Sequence, residues 1–124
     1  MGWYDRDGKT SMRLVLPIEP CAAARPRVTS KGTFYPPKYT AWLEAARLLA
    51  RQAWHDELLG GPVRVAISFQ TDRVIVEVGR SDCVRPKGVR GDVDNLCKAV
   101  LDCLSGVVFF DDRQVVELTA RMEA

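Results

Sequence analysis

Apolar residues recur at every second position in four stretches of the chain, 12–18, 63–69, 74–78 and 116–122. A period of two is typical of a strand that buries one face, so this pattern predicts four strands. Pro17 has no N–H to donate, which favours either an edge position or an early end for the first strand.

Two other stretches have the period of three to four residues that is typical of a helix. The first runs over 38–55 and is followed by Gly60-Gly61-Pro62. The second runs over 92–105, before Gly106. Its apolar residues share one side, whereas Asp94, Lys98 and Asp102 follow one another along the other. The pattern predicts two amphipathic helices.

The remaining segments complete an α+β domain. Residues 1–11 are polar and without periodicity, which predicts a disordered extension. The four prolines of 20–37 suit a basic loop or an irregular hairpin, and 79–91 suits a second basic loop. At 124 residues, we expect a single domain over 12–124, with a small mixed β-sheet packed with two main α-helices.

Composition excludes several classes of protein. With 47% hydrophobic and 27% charged residues, the chain has the content of a folded protein rather than a disordered one. It has neither an apolar stretch of about 20 residues nor a signal peptide, so we expect a cytoplasmic protein without a membrane partner. It also lacks phosphate-loop and dinucleotide motifs, so we expect no nucleotide or organic cofactor.

Charge is distributed unevenly, although the net charge is only +2. Residues 21–38 sum to +4 and residues 73–91 to +3, whereas residues 92–124 sum to −4. Chance clustering on a solvated surface would explain any one of these segments. Basic surface beside concentrated carboxylates is, however, what a metal-dependent enzyme acting on a polyanion requires.

The carboxylates are the strongest candidates for chemistry. Asp92 and Asp94 stand where the second helix begins, and Asp111-Asp112 follows that helix after a short return of the chain. If the return brings them together, each close pair repels by about 4 kcal/mol at 4 Å, which a cation would offset. A ligand set of carboxylate oxygens alone, with no His or Cys in it, favours Mg²⁺, with Mn²⁺ as a substitute.

Structural roles are the alternative for each of these residues. Asp92 is a possible N-cap, and Asp94 is suited to the helix dipole. Lys98 has possible ion-pair partners four residues away on either side, in Asp94 and Asp102, and Asp111-Asp112 is a possible turn.

Two longer motifs carry a resemblance to a known family. They are ARPRVTSKGTFYPPKYTAWLE (24–44) and GDVDNLCKAVLDCLSGVVFFDDRQV (91–115). They resemble the basic N-terminal motif and the D-x-D-N-x-x-K…D…G…DD-x-Q core of the RusA family of Holliday junction resolvases, over about residues 12–123. The resemblance implies that Asp92, Asp94 and Asp112 bind metal, with Asp111 adjacent and Lys98 essential near the scissile phosphate. It also implies a homodimer.

The expected function is therefore a Mg²⁺-dependent endodeoxyribonuclease that resolves Holliday junctions by paired symmetric nicks, through attack of a metal-activated water. A domain of this length has a radius of gyration of roughly 14 Å, too small to reach two opposed strands, which also favours a two-fold dimer. The branched DNA would be held by basic residues of both positive segments: Arg25, Arg27, Lys31, Arg85, Lys87 and Arg90. The alternatives are a structure-specific nuclease of broader specificity and a branched-DNA-binding protein without activity.

Overall fold

The protein is described here by a computed structural model that covers residues 2–4, 10–23 and 27–123. Its residues group into two compact units, 1–80 and 81–124. The first unit holds six strands and a helix: β1 (Gly2–Tyr4), β2 (Thr10–Leu16), β3 (Arg27–Thr29), β4 (Gly32–Phe34), α1 (Pro37–Ala53), β5 (Val63–Phe69) and β6 (Val74–Arg80). The second unit holds helix α2 (Val93–Leu104) and a short 3-10 helix, Asp112–Gln114.

Four strands of the first unit form one sheet in the order β1-β2-β6-β5. Every pairing in it is antiparallel, so the α+β class is confirmed, whereas the predicted mixed sheet is wrong. The reason lies in the placement of β6. Strands β2 and β5 run in the same direction and would pair in parallel if they were neighbours. Strand β6 lies between them and pairs antiparallel with both.

Residues 2–4 form a strand, within the segment 1–11 whose polar composition predicts a disordered extension. Strand β1 pairs with β2, with Gly2 opposite Met12 and Tyr4 opposite Thr10. Backbone hydrogen bonds need no apolar side chain, so hydrophobic periodicity gave no signal for this strand. Residues 5–9 lie outside the described part of the chain. Strand β2 ends at Leu16, directly before Pro17. Of the two alternatives for Pro17, an edge position or an early end of the strand, the structure therefore has the early end.

Helix α1 confirms the first predicted helix. It begins with Pro37 at its first position, where the missing N–H costs nothing, and Pro36 O accepts from the backbone N–H groups of Tyr39 and Thr40. The indole N–H of Trp42 donates to Glu19 O at 2.8 Å, which ties the helix to the segment after β2. The predicted irregular hairpin is formed by β3 and β4.

The apolar core of the described residues is small. Its buried apolar residues are Ala46 of α1 and Val74 and Ile75 of β6. The cross-strand register places Leu14 beside Val76 and Val76 beside Ile67, so one apolar face extends from β2 to β5. On β5 this face stays half exposed, with Ile67 at 51% and Phe69 at 68%.

The second unit confirms the other predicted helix and corrects one strand. Helix α2 ends at Leu104, and Gly106 follows with a φ of +82°, a left-handed conformation that favours glycine. The strand predicted over 116–122 is wrong, because residues 115–123 form no regular secondary structure. Val116 is 94% exposed and Leu118 56% exposed, so these two apolar side chains are not covered by another element of the described chain.

Candidate metal and nucleic-acid site

The first part of the candidate site is the turn that starts helix α2. Gly91 has a φ of +99°, which would strain any other residue, and Asp92 follows as the N-cap. The Arg85 guanidinium donates to Gly91 O, which ties the basic segment before the helix to this turn. The backbone N–H of Leu96 donates to Asp92 O at 2.9 Å, the first bond of the helix. Asp92 is therefore held by its backbone.

The carboxylates of this turn are not engaged by the chain. Asp92 stands at the N-cap yet makes no side-chain capping hydrogen bond. Within the described residues, neither Asp92 nor Asp94 takes part in a side-chain hydrogen bond or an ion pair, and both are exposed. The purely structural role of an N-cap, which would use the carboxylate of Asp92, is therefore not fulfilled here.

Further along α2, Lys98 pairs with Asp102. The distance from Lys98 Nζ to Asp102 Oδ1 is 3.7 Å, and the two side chains are 53% and 59% exposed. An exposed ion pair of this spacing contributes only about 0.3–0.5 kcal/mol, because water screens it. The Lys98 ammonium is thus held loosely and remains able to take an anionic ligand.

The second part of the candidate site is the turn that carries Asp111 and Asp112. The side-chain oxygen of Gln114 accepts from the backbone N–H groups of Phe110 at 2.7 Å and Asp111 at 3.0 Å. In return, Asp111 Oδ1 accepts from the backbone N–H of Arg113 at 3.0 Å. These reciprocal bonds form a capping box around the 3-10 helix. Asp111 thereby fixes the turn, and Asp112 is the first residue of that helix.

The electrostatics of this turn follow from its hydrogen bonds. The Arg113 backbone N–H lowers the pKa of Asp111 below its ordinary value, and the side chain of Asp112 and the charge of Arg113 lower it further. The capping contact is thus fully formed above the ordinary pKa of an aspartate. It is lost only as the pH falls through the lowered value.

The predicted convergence of carboxylates is not formed by the described residues. No three His, Cys, Asp or Glu side chains among them are grouped so as to hold a metal ion. The donor types nevertheless suit Mg²⁺, which prefers carboxylate oxygens, and those of Asp92 and Asp94 carry no competing hydrogen bond. That Asp92, Asp94, Asp111 and Asp112 bind one ion stays a prediction.

The predicted DNA-binding residues divide between the two units. Arg25 lies outside the described residues, while Arg27 is in β3 and Lys31 in the turn between β3 and β4. Arg85, Lys87 and Arg90 are exposed residues of the segment before α2. The predicted basic loop over 79–91 is confirmed from Ser81 onward, since β6 extends to Arg80.

Sequence reasoning gave no role to Gln114. The side chain of Gln114 organises the Asp111-Asp112 turn, and the signal was present in the letters D-D-R-Q. An Asp followed three residues later by Gln is a capping-box pattern, here at a helix too short to show apolar periodicity. Arg85 was assigned to DNA from its charge, and its bond to Gly91 O adds a structural role.

Neither helix of the described chain has the length and apolar character of a membrane span. No curated protein and no solved structure gives a significant match. The comparison with protein families matches residues 17–123 to the family described as endodeoxyribonuclease RusA. Since the match extends over most of the sequence and includes both the Asp92 and the Asp112 turns, the chain belongs to the RusA family of endodeoxyribonucleases, hydrolases that act on DNA.

Proposed function

We propose that this enzyme is a Mg²⁺-dependent Holliday junction resolvase that cuts two opposed strands in symmetric nicks. Family membership implies a metal-dependent endonuclease that acts on branched DNA junctions. The structural observation that supports the proposal is the start of α2, where Asp92 and Asp94 present exposed carboxylates that form no hydrogen bond or ion pair within the described residues. Carboxylates that form no contact within the described residues, on a turn whose backbone is held in place, are suited to binding a cation.

The ion would bring together three aspartates that the described residues do not group in its absence: Asp92, Asp94 and Asp112, with Asp111 beside them. Bound Mg²⁺, or Mn²⁺ in its place, would supply an activated water and offset negative charge on the transferring phosphate. The residues of the chain do the positioning. Asp111 and Gln114 fix the turn that carries Asp112, and Gly91 fixes the turn that carries Asp92.

Lys98 is the proposed electrostatic catalyst. Its ammonium would exchange the weak contact with Asp102 for a phosphate oxygen and neutralise the charge that develops there during cleavage. Arg25, Arg27, Lys31, Arg85, Lys87 and Arg90 would contact phosphates elsewhere on the DNA. Binding should then weaken steeply with salt, with a slope of about −0.9 per phosphate contact. An enzyme with this substrate would act in the cytoplasm.

A homodimer would match the symmetry of the substrate. A four-way junction has two-fold symmetry, and two opposed nicks require two active sites related by the same axis. Light scattering should therefore give twice the monomer mass of 13.9 kDa. A cruciform plasmid, which is linearised only when both strands are cut within one binding event, should yield linear product directly. Nicked circles as the main product would contradict paired cleavage.

The proposed function is tested by a Mg²⁺ titration of nicking on an immobile four-way junction. Ca²⁺ serves as the binding-only control, and a fork and a linear duplex with matched sequences serve as comparison substrates. We expect Mg²⁺-dependent cleavage of the junction in strong preference to the other two. Equal cleavage of the fork would indicate a broader nuclease, whereas junction binding without cleavage in Mg²⁺ would indicate a binding protein.

Replacing Gln114 with alanine tests the role of the Asp111-Asp112 turn. The change removes the acceptor for two exposed N–H groups, which water then satisfies, so the melting temperature should hardly change. Cleavage should fall by roughly 10–100-fold, the usual cost of losing a group that orients metal ligands. Arg113→Ala keeps the backbone donor to Asp111 and is the matched control. Unchanged cleavage by Gln114→Ala would show that the turn does not need this side chain.

A further inference from the structure

The hairpin β3–β4 and the segment that joins it to α1 expose apolar and aromatic side chains. Val28 is 81% exposed, Phe34 53% and Tyr35 55%. The ring of Tyr35 lies 6.2 Å from that of Tyr39, measured between centroids, with an angle of 48° between the ring planes. We call Val28, Phe34, Tyr35 and Tyr39 the hairpin surface.

This hairpin is formed by local bonds rather than by a core. Thr29 Oγ1 donates to Gly32 O and accepts from the Lys31 N–H, each at 3.2 Å, which closes the turn. Its two strands pair only with each other, and β4 has no buried residue. An isolated two-stranded hairpin is marginally stable in water, so packing within the fold does not explain its exposed apolar side chains.

Charge identifies the kind of partner. No acidic residue occurs anywhere in 20–43, whereas Arg25, Arg27, Lys31 and Lys38 are basic. Within the described residues, neither Lys31 nor Lys38 forms an ion pair. Exposed rings among unpaired cations are the composition of surfaces that stack on nucleic-acid bases while holding the phosphates. An apolar protein partner would not require the excess of positive charge.

We propose that the hairpin surface contacts unstacked bases at the branch point of the DNA, with Lys31 and Lys38 on the adjoining phosphates, and thereby selects junctions over linear duplex. The inference rests on the proposed function, because it takes a branched substrate. Bases in a continuous duplex are stacked on both faces, whereas those at a branch point can offer a face to a ring. Phe34 and Tyr35 are the residues that determine this preference.

The test compares binding of the full-length enzyme to a four-way junction and to a linear duplex, in Ca²⁺ so that no strand is cut. Phe34→Ala and Tyr35→Ala should each weaken junction binding by roughly fivefold to a hundredfold and leave duplex binding unchanged. Tyr35→Phe, which keeps the ring, should bind like the wild type. A 2-aminopurine at the branch point should change its fluorescence when the wild type binds, and this change should be lost with Phe34→Ala.

Phe69→Ala is the matched control, because Phe69 is an exposed phenylalanine of β5 in the same unit. Phe34→Leu and Tyr35→Leu, which remove the ring and keep an apolar side chain, provide the same measurement should either alanine variant fail to fold. Equal losses on junction and duplex, or no loss on the junction, would overturn the inference. If the wild type prefers and cuts junctions and the variants bind them equally well, the inference about the hairpin surface fails and the proposed function still holds. A wild type that binds both DNAs alike and cuts neither overturns both.

Discussion

Replacing Asp92 with asparagine is expected to abolish cleavage while leaving junction binding intact or tighter. The amide keeps the shape of the side chain and removes the charge that would bind the ion. A metal ion contributes several kcal/mol to cleavage, and each 1.36 kcal/mol is a factor of ten in rate, so the loss should exceed about a hundredfold. Removal of negative charge near phosphate favours DNA binding. Nicking in Mg²⁺ and gel-shift binding in Ca²⁺ measure the two effects.

Asp112→Asn should behave in the same way, although Asp112 lies on the other turn. Asp102→Asn is the control for both variants, since it makes the same chemical change at an exposed position of α2, the helix that Asp92 caps. It should cleave like the wild type. Wild-type turnover by either Asp92→Asn or Asp112→Asn would remove that residue from the metal site.

Replacing Lys98 with alanine should lower the cleavage rate by about 10²–10³-fold, the usual cost of losing one group that stabilises transition-state charge. The fold should be little affected, because the ion pair with Asp102 is exposed. Single-turnover cleavage and thermal melting, measured on the same preparation, separate the two effects.

The control for Lys98 is its own partner. Asp102→Ala breaks the same ion pair and leaves the ammonium in place, so it should keep both activity and melting temperature. A large drop in the melting temperature of Lys98→Ala would indicate a structural residue. Equal loss of cleavage in both variants would indicate that the ion pair, rather than the free ammonium, is what matters.

The regular elements with strong periodicity could be predicted from the sequence. Helix α1 was predicted over 38–55 and runs over Pro37–Ala53, and the strand over 63–69 has the predicted bounds. Both segments combine apolar periodicity with a glycine or proline boundary. The segment 116–122 has the same alternation as a strand, but a strand also needs a neighbour to bond, and alternation carries no information about neighbours.

The sequence predicts which residues belong to the candidate site and leaves its geometry open. The D-x-D and D-D pairs stand out because carboxylates that are brought close together repel one another unless a cation lies between them. Whether Asp112 reaches Asp92 depends on the path of residues 105–111, which no propensity determines. The path is held by a hydrogen bond from the Gly106 N–H to Phe109 O at 2.7 Å and by the Gln114 side chain, which accepts from the Phe110 N–H. Neither bond leaves a periodic pattern in the sequence.

Strand β6 also provides an internal reference for every variant proposed above. It bonds to β2 on one side and to β5 on the other, and it contributes two of the buried apolar side chains. Its amide protons should therefore exchange with deuterium only when the whole sheet opens, whereas those of β1 should exchange through local fraying. The exchange rate of one strand would then report the global unfolding free energy in the very samples used for cleavage.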